Sequence, residues 1–195
     1  MEKNHIILSR FSFEDKELMK IYLELTKAIL IPSLRAQTNQ NFSWGLIVKT
    51  EDIEFLRSEL NFDFIPFTDF YIFHQYCVDN NINIQTRHDI DDWMADNYVE
   101  KIHELFDENI ITHDNFLIQS QPIKLIYKTN AEVMMNKYTD NRNSMHLTLC
   151  QKIVSHHIYE KKHGQMNEVA SHVITLPEGF TKWVIHEDNM SFRGK

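Results

Sequence analysis

Apolar and polar positions along the 195-residue chain follow two periods in turn, and each change of period marks a predicted element. His5 to Leu8 is a short apolar run that reads as a strand ending at Ser9-Arg10. From Glu14 to Arg35 the apolar residues recur at helical spacing. Leu18, Ile21, Tyr22, Leu25, Ala28 and Ile29 form the predicted inner face, and Pro32 is expected to kink or end the helix. Phe42 to Val48 is densely apolar, as suits a strand covered on both faces. Glu51 to Leu60 reads as a helix, Asp63 to Phe67 as a strand or extended link, and Tyr71 to Val78 as a helix. Ile82, Ile84 and Thr86 alternate as in a strand, and Met94 to Asp107 then places Met94, Tyr98, Ile102, Leu105 and Phe106 on one helical stripe. Strand and helix alternating in this way predict a parallel sheet built from βαβ units.

The pattern changes after about residue 110. Phe116 to Ser120 and Ile123 to Tyr127 flank Gln121-Pro122 like the arms of a hairpin, and Val133 to Tyr138 reads as a further short strand. Met145 to Ile153 is expected as a helix over the sheet edge. Short elements at His156 to Tyr159 and Ser171 to Leu176 border a polar loop, and a strand beginning at Trp183 runs into a polar tail. There is no internal repeat, low-complexity stretch or linker, so one domain is expected.

Composition narrows the partners. A formal charge of -8 argues against general binding to nucleic acid or an anionic membrane, while leaving room for a phosphorylated small molecule if a metal supplies local positive charge. Cys77 and Cys150 show no ligand spacing and are expected to be reduced. With no signal-like or membrane-spanning apolar run, this points to the cytoplasm. The four glycines, Gly45, Gly164, Gly179 and Gly194, are too scattered for a P-loop, a dinucleotide fingerprint or a kinase-type loop.

The chemistry concentrates in Thr86-Arg87-His88-Asp89-Ile90-Asp91-Asp92-Trp93, where a predicted strand ends before a predicted helix. Ligands of open α/β sheets bind beyond the carboxyl ends of strands. Carboxylates crowded together repel unless a cation lies among them, and hard oxygen donors suit Mg²⁺, Mn²⁺ or Ca²⁺. Acidic residues ahead of a helix also serve as caps and dipole partners, so both readings stand at this point. An EF-hand is not indicated, because its Gly and distal Glu are missing.

Four ordered motifs carry a resemblance. Thr86 to Asp92, followed by Tyr98-Val99-Glu100, is similar to the Thr-Arg-Leu-Asp-x-Asp-Asp signature of the putative rhamnosyltransferase group of small GT-A glycosyltransferases, and His5 with Ser9-Arg10-Phe11 resembles that group's opening strand. Pro32-Ser33 through Gln37-Thr38, with Asn41-Phe42-Ser43-Trp44, resembles its Pro-Ser-x-x-x-Gln-Thr...Asn-Phe-x-Trp segment. Trp183...His186-Glu187-Asp188-Asn189-Met190-Ser191 resembles its closing motif.

The resemblance implies an α/β GT-A-like fold with a central, mostly parallel sheet flanked by helices and a mixed antiparallel C-terminal part. Residues 1–110 would form the half that binds the nucleotide sugar, and 111–195 the acceptor half with a closing tail. It implies a nucleotide-diphosphate sugar donor, such as UDP-glucose, a saccharide or other hydroxyl acceptor, and Mn²⁺ or Mg²⁺. Asp91 would bind the metal with Asp89 beside it, Asp89 also addressing the ribose or base, and His186 would complete the metal shell. Arg10 and Arg87 would contact nucleotide or phosphate, Trp93 could stack on a sugar or base, and Asn189, Ser191, Arg193 and Lys195 would close over the diphosphate. Asp92 could orient the sugar or a metal-bound water, and Asp188, Glu187 and His146 are base candidates by residue type.

Two departures stand out: Lys49-Thr50 where many relatives have a base-reading Asp, and Gln151 where the group often has Glu. The cluster His156, His157 and His163 reads as a polar loop that could line the acceptor side. The chain is short for a transferase, so a partner or a homodimer could complete acceptor binding. Rival readings are a nucleotide-sugar hydrolase, a nucleotidyltransferase (weakened by the missing Gly-rich loop), and a non-catalytic sugar- or calcium-binding module.

Overall fold

The computed structural model describes residues 1–127, 133–137 and 146–185. Among them nine strands form one sheet in the order β3-β2-β1-β4-β8-β6-β9-β5, with β7 paired to β6. The first half is the predicted parallel unit. Strands β1 (His5–Phe11), β2 (Ser43–Val48), β3 (Ile65–Phe67) and β4 (Ile84–Arg87) run parallel, joined by helices α1 (Lys16–Leu25), α2 (Ile31–Arg35), α3 (Ile53–Leu60) and α4 (Phe70–Asp79). Alternation along β1 sends Ile7 to one face and Ile6 and Leu8 to the other. Ile7 packs with residues of α1, α2, α3 and α5 (Tyr98–Asn109), whereas Ile6 and Leu8 join Phe73 and Cys77 of α4. On β2, Gly45 leaves room for its neighbours: a Cβ there would lie 2.9 Å from the Phe67 ring and 3.0 Å from both Ile6 and Leu8.

The long amphipathic segment is capped by Asp15, whose carboxylate accepts the amides of Glu17 and Leu18. Pro32 neither ends the helix nor bends it into a loop. A π-helical turn at Thr26–Leu30, closed by the Ile31 amide on the Thr26 carbonyl, widens the helix just before the ring that would otherwise crowd it. The inner face differs from the expected one. Ile21 and Ala28 are exposed, while Leu18, Met19, Tyr22, Leu23 and Thr26 are buried, the Thr26 hydroxyl donating to the Tyr22 carbonyl. The extra residue of the π turn then rotates Leu30, Ile31 and Leu34 inward.

The second half departs more from expectation. Met145 lies outside the described residues, and the rest of the helix expected to Ile153 is not formed: Leu147–Gln151 is β8, lying inside the sheet between β4 and β6, with every residue buried. A run covered on both faces has no alternation by which a strand can be told from a helix. Gln121-Pro122 is not a hairpin turn. It lies inside one 13-residue strand, β6 (Asn115–Tyr127), where the register with β9 slips on either side of Gln121. Pro122 has no amide to give the ladder, and a bulge absorbs the defect. Likewise the elements expected at Ser171 to Leu176 and from Trp183 fall, from Val173 to Ile185, on one strand, β9 (Val173–Ile185), which passes Pro177 and Gly179 (φ +99°). β7 (Val133–Lys137) pairs with β6 as a short strand. Met94 is not helical: with Trp93 it forms β5, paired to Thr181 and Lys182 of β9, and α5 starts at Tyr98. No helix among the described residues is long and apolar enough to cross a membrane.

Candidate functional site

The strand order reverses between β1 and β4: β2 and β3 build out from one side of β1, and β4 returns to the other. Such a switch point opens a crevice at the carboxyl ends of the strands. Arg10 stands at the end of β1, and Arg87 ends β4. The chain beyond Arg87 stays on the sheet for one more residue, the His88 amide donating to the Leu8 carbonyl at 3.0 Å, and then turns, the Asp92 amide meeting the Asp89 carbonyl at 3.3 Å.

Several of the motif residues serve as ties that place this turn. The Gln37 amide group donates to the carbonyls of Ser33 and Ala95, and its oxygen accepts the Val99 amide, supplying α5 with the first-turn cap that Asn97 does not provide. The Thr38 hydroxyl donates to Glu100, and the Thr38 amide donates to the Asp96 carbonyl. Trp44 is a core residue whose indole N–H donates to the Ser9 hydroxyl. Gln151, found where Glu was expected, is buried and accepts the amides of Ser155 and His156, so it holds the chain after β8. Gln85 works beside it, accepting the Ile158 amide.

The turn itself is electrostatically crowded. Burial pushes the Asp89 carboxyl up to about 6; repulsion from Asp92 and Asp91 adds to this, while Arg87 and His146 oppose it. Asp89 remains partly exposed, whereas Asp91 and Asp92 are buried. The Arg87 guanidinium lies 4.1 Å over the Tyr159 ring, and that ring stacks on Phe70 at 4.9 Å. Burial raises the Tyr159 phenol pKa, and the charges of Arg87 and Arg10 both oppose it. Arg10 is exposed and open to a ligand.

Behind the turn lies a second group. Among the described residues, His88, Asp92 and His146 offer ligand atoms within 4.8 Å of one another, and all three are buried. Asp92 accepts the Val184 amide at 2.8 Å through one oxygen, and its other oxygen lies 3.2 Å from His146 Nε2. The first of these contacts delivers the end of β9 to the acidic turn. His146, just before β8, meets His88 edge to face at 4.6 Å. Burial lowers the pKa of both imidazoles, that of His146 to about 4, so both are neutral at pH 7.

The structure thus brings Arg10, Arg87 and Asp89 to the carboxyl ends of β1 and β4, with Asp91 buried in the same turn beside Asp89. It sets Asp92 and His146, expected as catalytic groups, 1% exposed behind it. Trp93 is partly buried with the Lys182 ammonium 3.8 Å over its ring, so that face is taken. His157 packs against Phe70 and His74, and His156 pairs with Glu160 at 2.9 Å. His186, Asp188, Asn189, Ser191, Arg193 and Lys195 lie outside the described residues. Two residues escaped the sequence reading. Tyr159 carries no motif, but His88 left a signal: it stands where the signature quoted above has Leu. A cleft of about 770 Å³ between Arg35, Trp44, Arg57 and Phe62 lies at the amino ends of β2 and β3, away from this crevice.

Strand order and the neighbours below together show the class of fold: it is α/β and GT-A-like. No family model and no curated protein matches it in sequence. Among solved structures, S. aureus TarS aligns with TM-score 0.53 at 10% identity over 95% of this chain and 37% of that one. TarS 1-349 in complex with UDP-GlcNAc gives 0.53 at 10% over 95% and 59%, and TarS 1-349 alone gives 0.51 at 12% over 95% and 61%. The chain therefore spans between about two fifths and three fifths of the TarS chains it matches.

Proposed function

We propose that this protein is a metal-dependent glycosyltransferase that moves a sugar from a nucleotide-diphosphate sugar, with a UDP-sugar favoured, to an acceptor hydroxyl. One observation carries the reading: Arg10, Arg87, Asp89 and Asp91 converge at the switch point of a GT-A-like sheet. The UDP-GlcNAc complex of TarS, a protein of like fold, supports a donor of this class, and so do the four motifs.

The crevice residues divide the work. Arg10 and Arg87 set positive charge where a diphosphate would lie, in a protein of net charge -8. Stacking on Tyr159 holds the Arg87 guanidinium in place. The acid groups suit Mn²⁺ or Mg²⁺: a carboxyl that burial pushes up to about 6, with repulsion from Asp92 and Asp91 adding to the shift, is relieved by a hard cation. Asp89 and Asp91 would hold the ion, with His186 from the closing motif. Bound there, it supplies Lewis-acid stabilisation of the departing diphosphate. Asn189, Ser191, Arg193 and Lys195 belong to the same proposal as the closing segment. Gln151 is committed to a turn, and Asp188 and Glu187 stay the base candidates by type beside the buried His146.

The test is a panel of nucleotide sugars with and without Mn²⁺, read by thermal shift and by release of nucleoside diphosphate. Stabilisation should need the nucleotide and the ion together, reaching about 2.7 kcal/mol at a hundredfold excess over Kd. Asp91→Asn, which keeps the side-chain shape at a buried position, should cut Mn²⁺-dependent release by about 100-fold or more. Full activity in that variant, or no response to any nucleotide sugar, overturns the proposal. Equal release with and without every acceptor tried would make the protein a hydrolase instead.

A further inference from the structure

We propose that His88, Asp92 and His146 form a second metal site, for a transition-metal ion of the Zn²⁺ class, distinct from the Asp89–Asp91 crevice and independent of the donor-sugar reading.

The first observation is geometric. The three ligand atoms already lie within 4.8 Å of one another. Ligands around one Zn²⁺, with bonds of about 2.0–2.1 Å, are separated by about 3.4 Å, so small side-chain rotations would close the set. They come from firmly held backbone: His88 follows β4 with its amide on the Leu8 carbonyl, and Asp92 closes the acidic turn through its own amide. His146 enters β8, its carbonyl accepting the Ser120 amide at 3.1 Å.

The second observation is independent of the cluster. His88 is 1% exposed, and neither ring nitrogen has a hydrogen-bond partner. A buried polar atom left unsatisfied costs about 1–3 kcal/mol, and an imidazole carries two. Leu would fill the same place without that cost. The ring instead meets His146 edge to face, 3.2 Å from whose Nε2 lies an Asp92 oxygen. A ligand that accepts the His88 lone pair explains why a histidine is kept there.

The chemistry of the donors then selects the ion. Two imidazoles and one carboxylate favour Zn²⁺, Co²⁺, Ni²⁺ or Fe²⁺ over Mg²⁺ or Ca²⁺, which take oxygen. The Val184 amide on the other Asp92 oxygen is the kind of outer contact that orients a metal-binding carboxylate. An ion here would fasten β4, β8 and β9 together directly behind the crevice.

The experiment uses the full chain, stripped with chelator and titrated with Co²⁺ in the absence of nucleotide. One equivalent should bind with visible d–d bands and hyperfine-shifted imidazole N–H resonances from two histidines. Zn²⁺ should displace it, and millimolar Mg²⁺ should not. His88→Leu should lower Co²⁺ affinity by about 100-fold or more, whereas Asp91→Asn should leave it unchanged. Equal Co²⁺ affinity in wild type and His88→Leu overturns the site, as does a bound Co²⁺ that shifts no imidazole resonance. Loss of binding in Asp91→Asn but not in His88→Leu also overturns it, since the ion would then belong to the crevice. The wild-type resonances decide the matter even if His88→Leu fails to fold.

Discussion

Two pairs of buried histidines lie along the β1–β4 boundary, and they are finished differently. His5 and His103 form the first: His5 Nδ1 lies 3.2 Å from His103 Nε2, and His5 Nε2 lies 2.8 Å from the Thr86 hydroxyl. The chain of contacts continues through Thr148 to the Tyr98 hydroxyl, and Asn39 meets the other His103 nitrogen. The second pair, His88 and His146, begins two residues beyond Thr86, just past the end of β4, and His88 has no such partners. Proteins of modest stability do not keep orphaned buried nitrogens without reason. Where hydrogen bonds are complete, the histidines hold strands to a helix; at His88, which has none on either ring nitrogen, the nitrogens are available to a ligand.

The difference is broken most sharply by replacing one histidine of each pair with Leu. His5→Leu strands the His103 nitrogen and removes one Thr86 partner, at about 1–3 kcal/mol for each group left unsatisfied. The denaturant midpoint in urea should fall accordingly, with m unchanged. His88→Leu, measured in excess chelator, strands nothing and should be neutral or raise stability by about 1 kcal/mol. With Zn²⁺ present the order reverses, because the variant forgoes the stabilisation the ion gives the wild type. If His88→Leu in chelator loses as much as His5→Leu, the two pairs are alike and the contrast fails.

This contrast also shows how far the residues could be read in advance. The parallel half was legible because each strand there ends in a turn and each helix has a solvent face, so periods of 2 and 3.6 stand apart. Leu147 to Gln151 was not legible, because burial on both faces erases the alternation that marks a strand. Pro122 misled because a proline between apolar runs usually signals a turn, and only the parallel neighbour β9, bulging at the same place, lets the strand continue. At the site, Arg87, Asp89 and Asp91 were legible as local chemistry in one stretch. The roles of Asp92 and His146 were not, since both depend on contacts across more than fifty residues, with Val184 and with each other. His88 was visible as a residue type, but its lack of partners exists only in three dimensions.

The gentlest probe of the completed pair is acid, because its effect vanishes at neutral pH. Burial lowers the pKa of His5 well below 6.5, with His103 adding to the shift, and burial lowers that of His103 to about 4. The folded state therefore keeps both rings neutral over a range in which the unfolded chain protonates them. Between pH 6.5 and about 4 the unfolded state binds more protons, so stability is fully present above 6.5 and declines as pH falls through that window. The buried rings of His88 and His146 pull in the same direction, so wild type alone does not isolate the pair. His103→Gln removes one of the protons taken up on unfolding. Its midpoint temperature, followed from about pH 8 to 4 in chelator, should drop less steeply than wild type, with the two curves parallel above about pH 7. Equal slopes would mean that His103 is protonated in the folded protein, most simply because the His5 contact gives way in acid, and the first pair would then be no more secure than the second.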